Sequence, residues 1–388
     1  MTDDRSTSLL YTEVEQELRA AVRDLLADKS TPADVLARAE AAAGGAAPYD
    51  AELWKALARD IGAAGLLVPE ELGGAGASAR EAAVVLEELG RSVAAVPFLS
   101  SAVLATRALM AAGGDVAAGL LERLSSGEVT AALAVSAATS PYGPKGPAVT
   151  LGADGRVSGT VTGVIGAEVA DVLLVPALAA SDGSLALCAV DAGEDAGVAA
   201  VTSLDLTRPV ATVTFASAPA RVVARRTGTW APGVREALAT GAGLLASEQL
   251  GVAEWCLDTT VAYVRERRQF ARPVGSFQAV KHRLADLWLE VVGARAAARN
   301  AAALLADPRR GEEAASAVAV AQAYCGAVAV HAAEECVQLH GGIGMTWEHP
   351  AHLYLKRAKA DQIILGTPGD HREAVAVLAD LPGPAPVP

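Results

Sequence analysis

The richest chemistry in this chain lies between Tyr263 and Arg283, where Arg265, Arg267, Arg268, Arg272, Lys281 and Arg283 stand against one acid, Glu266. The whole chain carries 32 Lys+Arg against 45 Asp+Glu, a net charge of −13. A cationic segment in so acidic a background points to a phosphate-bearing ligand. Farther on, Gln338-Leu-His-Gly-Gly-Ile-Gly344 supplies glycines through which backbone N–H groups can approach an anion. Two other groupings compete. Gly241-Ala-Gly-Leu-Leu-Ala246 fits a G-x-G-x-x-A dinucleotide fingerprint, but the residues before it read as helix and no βαβ unit surrounds it, so close helix packing is the better reading. His349 and His352 invite a metal, yet Pro350 lies between them and no third ligand stands at a recognisable interval, so no metal is expected.

A chain of 388 residues, 52% hydrophobic and 20% charged, has room for two or three domains, or one large multilayer unit, with a sizeable core. A sequence pI near 5.0 argues against nucleic acid as the main partner, because a nucleic-acid binder needs a broad basic face. Cys188, Cys256, Cys325 and Cys336 have neither disulfide-framework nor zinc spacing. The N-terminal Met-Thr-Asp-Asp-Arg-Ser lacks an apolar core, so a cytoplasmic location is expected. Residues 314–333 carry no charge but are mostly alanine, and read as a packed helix rather than a membrane span.

Apolar residues recur at three- and four-residue spacing through residues 8–43 and 50–127, predicting helices broken at Gly44-Gly45, Pro48 and Val68–Gly76. From Val129 to about Arg226 the texture changes to short Val/Thr/Leu runs between Gly, Pro and Asp, which predicts strands. Alanine-rich helical patterns then return. The expected fold class is α+β multidomain: an N-terminal helical domain (1–128), a small central β-domain (129–227), a C-terminal four-helix bundle (228–380) and a flexible tail (381–388) rich in proline.

This order of elements, with three sets of motifs, resembles the acyl-CoA dehydrogenase family over nearly the full length. Gly65-Leu-Leu-Val-Pro-Glu-Glu-Leu-Gly-Gly-Ala-Gly76 with Val85-Leu-Glu-Glu-Leu-Gly90 resembles its N-terminal signature. Arg267-Arg-Gln-Phe270 with Phe277-Gln278 resembles its R-x-Q-F-G...F-Q segment, and Gln338-Leu-His-Gly-Gly342 its Q-x-x-G-G loop. The resemblance implies a noncovalent FAD between subunits. Arg267, Gln269 and Phe270, with Val274, Phe277 and Gln278 nearby, would hold the ADP half of a neighbouring protomer's flavin; Gln338, Gly341 and Gly342 would complete that pocket, and Thr367 is a further candidate contact. A guanidinium forks onto pyrophosphate and an aromatic ring packs on adenine, which suits those residue types.

The family's chemistry is α,β-desaturation of an acyl thioester: a carboxylate takes the α-proton while flavin N5 receives the β-hydride. By the resemblance the base is usually a glutamate in a Y-E-G-T-like segment, and here Ile363-Ile-Leu-Gly-Thr367 places Leu365 there. The alternative position, on the helix before Arg267, falls on Gly241, with Ala242 where an arginine often lies. Asp361, Asp370, His371, Glu373, Glu248 and Glu254 are acids and histidines near these positions; Asp370 and His371 are the candidate contributors, although an Asp after Pro368-Gly369 also suits a helix start. A backbone N–H at Leu365 could still bond the thioester oxygen. Ser136-Ala-Ala-Thr-Ser-Pro-Tyr-Gly-Pro144 replaces the family's T-E-x-x-x-G-S-D stretch, with Thr139 and Ser140 as substitutes, and Val161-Thr-Gly-Val-Ile-Gly166 replaces its K-x-W-I-T-N-like strand.

Trp347-Glu-His-Pro-Ala-His-Leu-Tyr-Leu355 resembles a bacterial subgroup, some members of which form α2β2 assemblies with a base-carrying homologue and act on bulky acyl-CoAs, including steroid side-chain thioesters. The expected function is that of an FAD-dependent acyl-CoA dehydrogenase subunit working with such a homologue, as a homo- or hetero-oligomer. The alternatives are a non-catalytic partner that binds FAD or acyl-CoA, and a homomeric flavoenzyme acting on a carrier-bound acyl group.

Overall fold

The structure is a computed structural model and describes residues 8–143 and 146–383. The extreme N-terminus, Pro144 and residues 384–388 of the proline-rich tail therefore lie outside the described residues. Helices α1 (Glu13–Lys29), α2 (Pro32–Ala43), α3 (Ala51–Lys55), α4 (Ala79–Ser92), α5 (Thr106–Ala112) and α6 (Asp115–Ser125) come first. Capping boxes start three of them, Thr12 with Glu15, Thr31 with Asp34 and Ser78 with Glu81, each satisfying orphan N–H groups reciprocally. Two stretches depart from the expected α period: Ala56–Asp60 and Phe98–Ala105 are π-helical. In the second, the Ser100 hydroxyl donates to the Pro97 carbonyl and that of Thr106 to the Ser101 carbonyl, while Ser101 Oγ accepts the Ala131 N–H. Side chains inserted into the helical ladder in this way widen it.

Eight strands follow: β1 (Ala131–Leu133), β2 (Val149–Leu151), β3 (Arg156–Ile165), β4 (Val172–Ala179), β5 (Leu185–Asp191), β6 (Ala196–Val201), β7 (Val210–Pro219) and β8 (Arg221–Arg226). They form one sheet in the order β6-β7-β3-β2-β4-β5-β8, with β1 parallel beside β4. The two-residue period decides burial: Val172 and Leu174 of β4 join the core that contains the N-terminal helices, whereas Leu173 and Val175 join a core among the strands. The β3–β7 ladder breaks its register between Val161 and Val164. There the Gly163 carbonyl leaves the ladder and accepts the Ala137 N–H at 2.8 Å.

The remainder is α7 (Val234–Glu266), a hairpin of β9 (Arg268–Gln269) and β10 (Arg272–Pro273), then α8 (Gln278–Leu305), α9 (Gly311–His340), α10 (Ala351–Asp361) and α11 (Pro368–Leu378). Gly241 to Ala246 lie inside α7, so the dinucleotide fingerprint is a packing stretch: a Cβ on Gly243 would come within 2.5 Å of Leu305 Cδ1. Residues 308–345, built around α9, are long and apolar enough to cross a membrane by length and composition, but 61% of the most apolar window is buried inside the fold. Its side chains Ala321, Cys325, Ala329 and Ala332 share a core with Leu250, Cys256 and Val291 of α7 and α8.

Candidate functional site

Helix α7 ends at Glu266 and the chain turns at once into the β9–β10 hairpin. Phe270 and Ala271 form its two-residue turn with φ of +51° and +62°, left-handed as such a turn requires. Phe270 is 85% exposed, edge-on to Phe277 at 6.1 Å, and the Arg272 guanidinium lies 3.8 Å from the Phe277 ring centroid. Arg267, Gln269 and Gln278 are exposed, and Val274 and Phe277 half-buried. No ion pair among the described residues involves Arg267, Arg268 or Arg272. Tyr263 stacks on His340 at 4.4 Å, which sets the hairpin's root beside the turn Gly341–Met345. A Cβ at Gly341 or Gly342 would meet nothing within 4 Å, so that backbone is open to a ligand, with Gln338 exposed one turn before. The structure thus gathers every predicted ADP contact at one end of the bundle except Thr367.

Thr367 caps α11 instead. Its N–H and hydroxyl each donate to Asp370 Oδ2 at 2.7 Å, so Asp370 serves as the N3 carboxylate of a capping box. His371 is fully buried, with Nδ1 2.8 Å from the Tyr142 hydroxyl and Nε2 unpartnered. Burial pushes its pKa down to about 4, leaving the ring neutral. Glu248 lies between Arg208 and Arg357, and Glu254 accepts from Arg91 at 2.8 Å and Arg295 at 2.7 Å. Asp361 joins the same buried group as Glu248, and Glu373 lines a groove.

The two positions without a carboxylate face each other. A Cβ on Gly241 would fall 2.4 Å from Leu104 Cδ2 and 3.1 Å from Leu365 Cδ1. Leu104, on the π-helical stretch, and Leu365, 1% exposed, fill the space between α7 and the turn before α11. The Leu365 N–H donates to the Ala137 carbonyl at 2.7 Å. This corrects the expectation that it serves a thioester oxygen: a buried N–H must find a partner, and the loop at 136–143 provides one within the chain. That loop lines two hollows. In one, of about 230 Å³, Ser136 and Thr139 face Thr160 and Trp230; in the other, of about 810 Å³, Ser140 and Tyr142 face Arg235, Leu305, Asp370 and Glu373. Neither is lined by Gly241 or Leu365.

The W-E-H segment is an aromatic ladder. His349 lies 4.3 Å from His340, His352 edge-on to Trp347 at 4.5 Å, and Tyr354 stacks flat on Trp255 at 3.5 Å. No group of three His, Cys, Asp or Glu placed to hold a metal occurs among the described residues. Leu104, Ala137 and Tyr142 escaped sequence reasoning: Tyr142 sat in the stretch that departs from the family pattern, while Leu104 and Ala137 gave no signal.

Residues 12–128 match the acyl-CoA dehydrogenase N-terminal domain, and residues 232–377 the acyl-CoA dehydrogenase C-terminal domain. The chain belongs to the acyl-CoA dehydrogenase family. This acyl-CoA dehydrogenase is 36% identical over 365 residues to acyl-CoA dehydrogenase IpdE2 of Mycobacterium tuberculosis, covering 92% of this chain and 94% of the relative. It superimposes on a chain of the ChsE4-ChsE5 complex from Mycobacterium tuberculosis with a TM-score of 0.83 and 32% identity, covering 97% of this chain and 100% of that one. Against butyryl-CoA dehydrogenase from Megasphaera elsdenii the TM-score is 0.82 at 21% identity, over 95% of this chain and 99% of the other, a likeness of fold. The expected fold class, helical ends around a central sheet, is the one observed. FAD is the cofactor of this acyl-CoA dehydrogenase. The residues present fit one half of it: unpaired guanidiniums, an exposed ring and open glycine backbone suit the ADP end, while Leu365 and Gly241, the two positions where the resemblance expects a base, carry no carboxylate.

Proposed function

We propose that this chain is the supporting subunit of a cytoplasmic, heteromeric acyl-CoA dehydrogenase, in which it lends its arm to a flavin whose substrate-facing base stands on a homologous chain. The observation that carries this reading is the closure around Leu365: side chain against Gly241 and Leu104, N–H on Ala137. FAD, when bound, supplies the hydride acceptor. Arg267 and Arg268 would bind pyrophosphate oxygens, Phe270 would cover the adenine, and the Gly341–Gly342 backbone would admit the nucleotide. With no proton acceptor at either base position, the chain orients a cofactor but does not itself deprotonate an α-carbon. An α2β2 arrangement agrees with the similarity to the ChsE4-ChsE5 complex. A bulky thioester of steroid type agrees with the steroid acyl-CoA dehydrogenase Tcur3481-Tcur3483, which is 29% identical with a TM-score of 0.80.

The test is to purify the chain alone and with a base-bearing homologue, measure flavin and mass, and follow anaerobic flavin reduction by a panel of acyl-CoAs. Reduction is expected only in the mixture, and should vanish when the homologue's glutamate becomes glutamine. Bleaching by the chain alone would sink the proposal.

A further inference from the structure

Between sheet and bundle lies a second set of titratable side chains that the arm and the closed thioester position leave unused. Asp205, Thr207 and Arg208 come from the β6–β7 loop, Glu248 from α7, and Arg357 and Asp361 from α10. All are buried, Asp361 completely. Arg208 bonds Asp361 Oδ1 at 2.9 Å and also Glu248; Arg357 bonds Glu248 at 2.5 Å, Thr207 Oγ1 at 2.6 Å and also Asp205. Thr207 donates through its N–H to Asp205 at 2.8 Å.

Three carboxylates thus face two guanidiniums. A net charge sealed from water costs several kcal/mol, and arginine does not give up its proton, so the group closes neutral by holding one proton on an acid. Geometry assigns that proton to Asp361. Glu248 is bonded by both guanidiniums, and Asp205 by Arg357 and Thr207, whereas Asp361 Oδ2 has no partner. Burial, reinforced by Glu248 and Asp205 against the pull of Arg208 and Arg357, raises Asp361 to about 8. Around it, Asp205 acts on half-buried Lys356 of α10, Tyr49 lies near the guanidiniums with Glu168 acting on it, and α9 presents uncharged Gln322 beside Gln249.

The cluster grips both ends of the closure. Asp361 is the last residue of α10, its carbonyl accepting from Gln249 Nε2 at 3.0 Å, and the next turn delivers Leu365 to Ala137. On the other side, Arg208 precedes β7, whose partner β3 provides the Gly163 carbonyl that takes the Ala137 N–H. We propose that this cluster is a proton-operated clasp: with a proton on Asp361 it binds the β6–β7 loop to α10 and keeps the Leu365 N–H on Ala137, and as pH rises the loss of that proton loosens both. The clasp involves this chain alone and is tested without a partner, so it stands or falls apart from the division of labour proposed above.

The experiment is hydrogen exchange by mass spectrometry on the full chain, from about pH 6 to about pH 9, with rates corrected for the intrinsic pH dependence and read on peptides covering 203–209 and 362–367. In the parent chain, protection of both segments is expected to fall by about tenfold per pH unit from the acid end up to about pH 8, where Asp361 loses its proton in the closed fold, and to level off above it, as one-proton linkage requires. In Asp361→Asn, whose amide oxygen still accepts from Arg208 and cannot ionise, protection should stay flat. Flat protection in the parent chain, or the same fall in both proteins, overturns the clasp. Should the variant fail to fold, infrared spectra of the parent chain decide. The band of a buried protonated carboxyl must be present near pH 6 and gone near pH 9, and its absence at the lower pH equally overturns the proposal.

Discussion

Gly241→Ala is the smallest perturbation that tests whether the space between Gly241 and Leu365 is sealed. In an open helix the change would stabilise by about 0.5–1 kcal/mol, the ordinary penalty of a mid-helix glycine. Here the new methyl would lie 2.4 Å from Leu104 Cδ2 and 3.1 Å from Leu365 Cδ1, and overpacking of that kind costs about 1–3 kcal/mol. The net expectation is a loss of about 0–2.5 kcal/mol. Leu104→Ala alone empties a well-buried site and should cost about 2.7–5 kcal/mol. In the double variant the methyl at 241 occupies space that Leu104 has left. The shorter clash disappears and Leu365 can shift into the vacated space, the helical gain is realised and part of the cavity is filled, so the pair should be about 1–2 kcal/mol more stable than Leu104→Ala alone. Urea unfolding of the four proteins, followed by tryptophan fluorescence, gives the coupling as the departure from additivity. Additive losses to within about 0.5 kcal/mol, or a Gly241→Ala protein stabilised by the full helical gain, would show an open notch and refute the closed-site argument.

Arg267→Ala should leave the urea midpoint unchanged, since the side chain is exposed and unpaired, yet weaken FAD binding by the assembled complex about tenfold or more, the value of a charge-assisted bond, as measured by flavin fluorescence titration. His371 is neutral when folded, its pKa pushed down to about 4 from 6.5. As pH falls between those values the unfolded chain gains a proton that the folded chain refuses, so up to about 3 kcal/mol of stability should be lost across that window. His371→Gln should flatten this acid limb in a pH series of unfolding curves; an unchanged slope would mean that the ring titrates normally. Arg357→Met leaves Asp205 and Glu248 with less compensation inside the fold and should cost about 3–5 kcal/mol in the same assay, whereas a loss below about 1 kcal/mol would mean water reaches the cluster.

What could be read from the sequence was what repeats or lies close together along it. The change from alanine-rich helical spacing to Val/Thr runs near residue 129 gave the order of elements, and Arg267 to Gln278 gave the arm because its residues are neighbours in sequence. What could not be read was contact between distant segments of ordinary composition. Leu104 is one leucine among many until the π-helical stretch aims it at Gly241, and no pattern announces that Ala137 will take the Leu365 N–H. The charge cluster assembles from the β6–β7 loop, α7 and α10, so Asp361 and Glu248 appear in the sequence only as isolated acids. His349 and His352 show the converse, a suggestive local spacing, set aside as a metal site, whose rings lie tilted against His340 and edge-on to Trp347.

The arm and the closed position also differ in what they do for the fold, and that difference can be measured at Phe270. Leucines that fill the space beside Gly241 contribute to stability, because a cavity there would cost about 24 cal/mol per Å³. The hairpin tip contributes in the other direction. Phe270 is 85% exposed and, with Ala271, holds a left-handed φ without being glycine, at about 1–2 kcal/mol per residue. The hairpin turn requires that backbone, but glycine would adopt it without strain, so a phenylalanine kept at an exposed tip is the kind of outlier from which a ligand can be inferred. Phe270→Gly relieves the φ penalty while adding about 0.4–1 kcal/mol of unfolded-state entropy, so the folded chain should be unchanged or up to about 1.6 kcal/mol more stable. FAD affinity of the assembled complex should nonetheless fall, since the ring proposed to cover the adenine is gone. Stability and binding moving in opposite directions is the signature of a side chain held for a ligand. If both decline together, Phe270 supports the fold, and the assignment of this arm to the ADP end of FAD loses its aromatic contact.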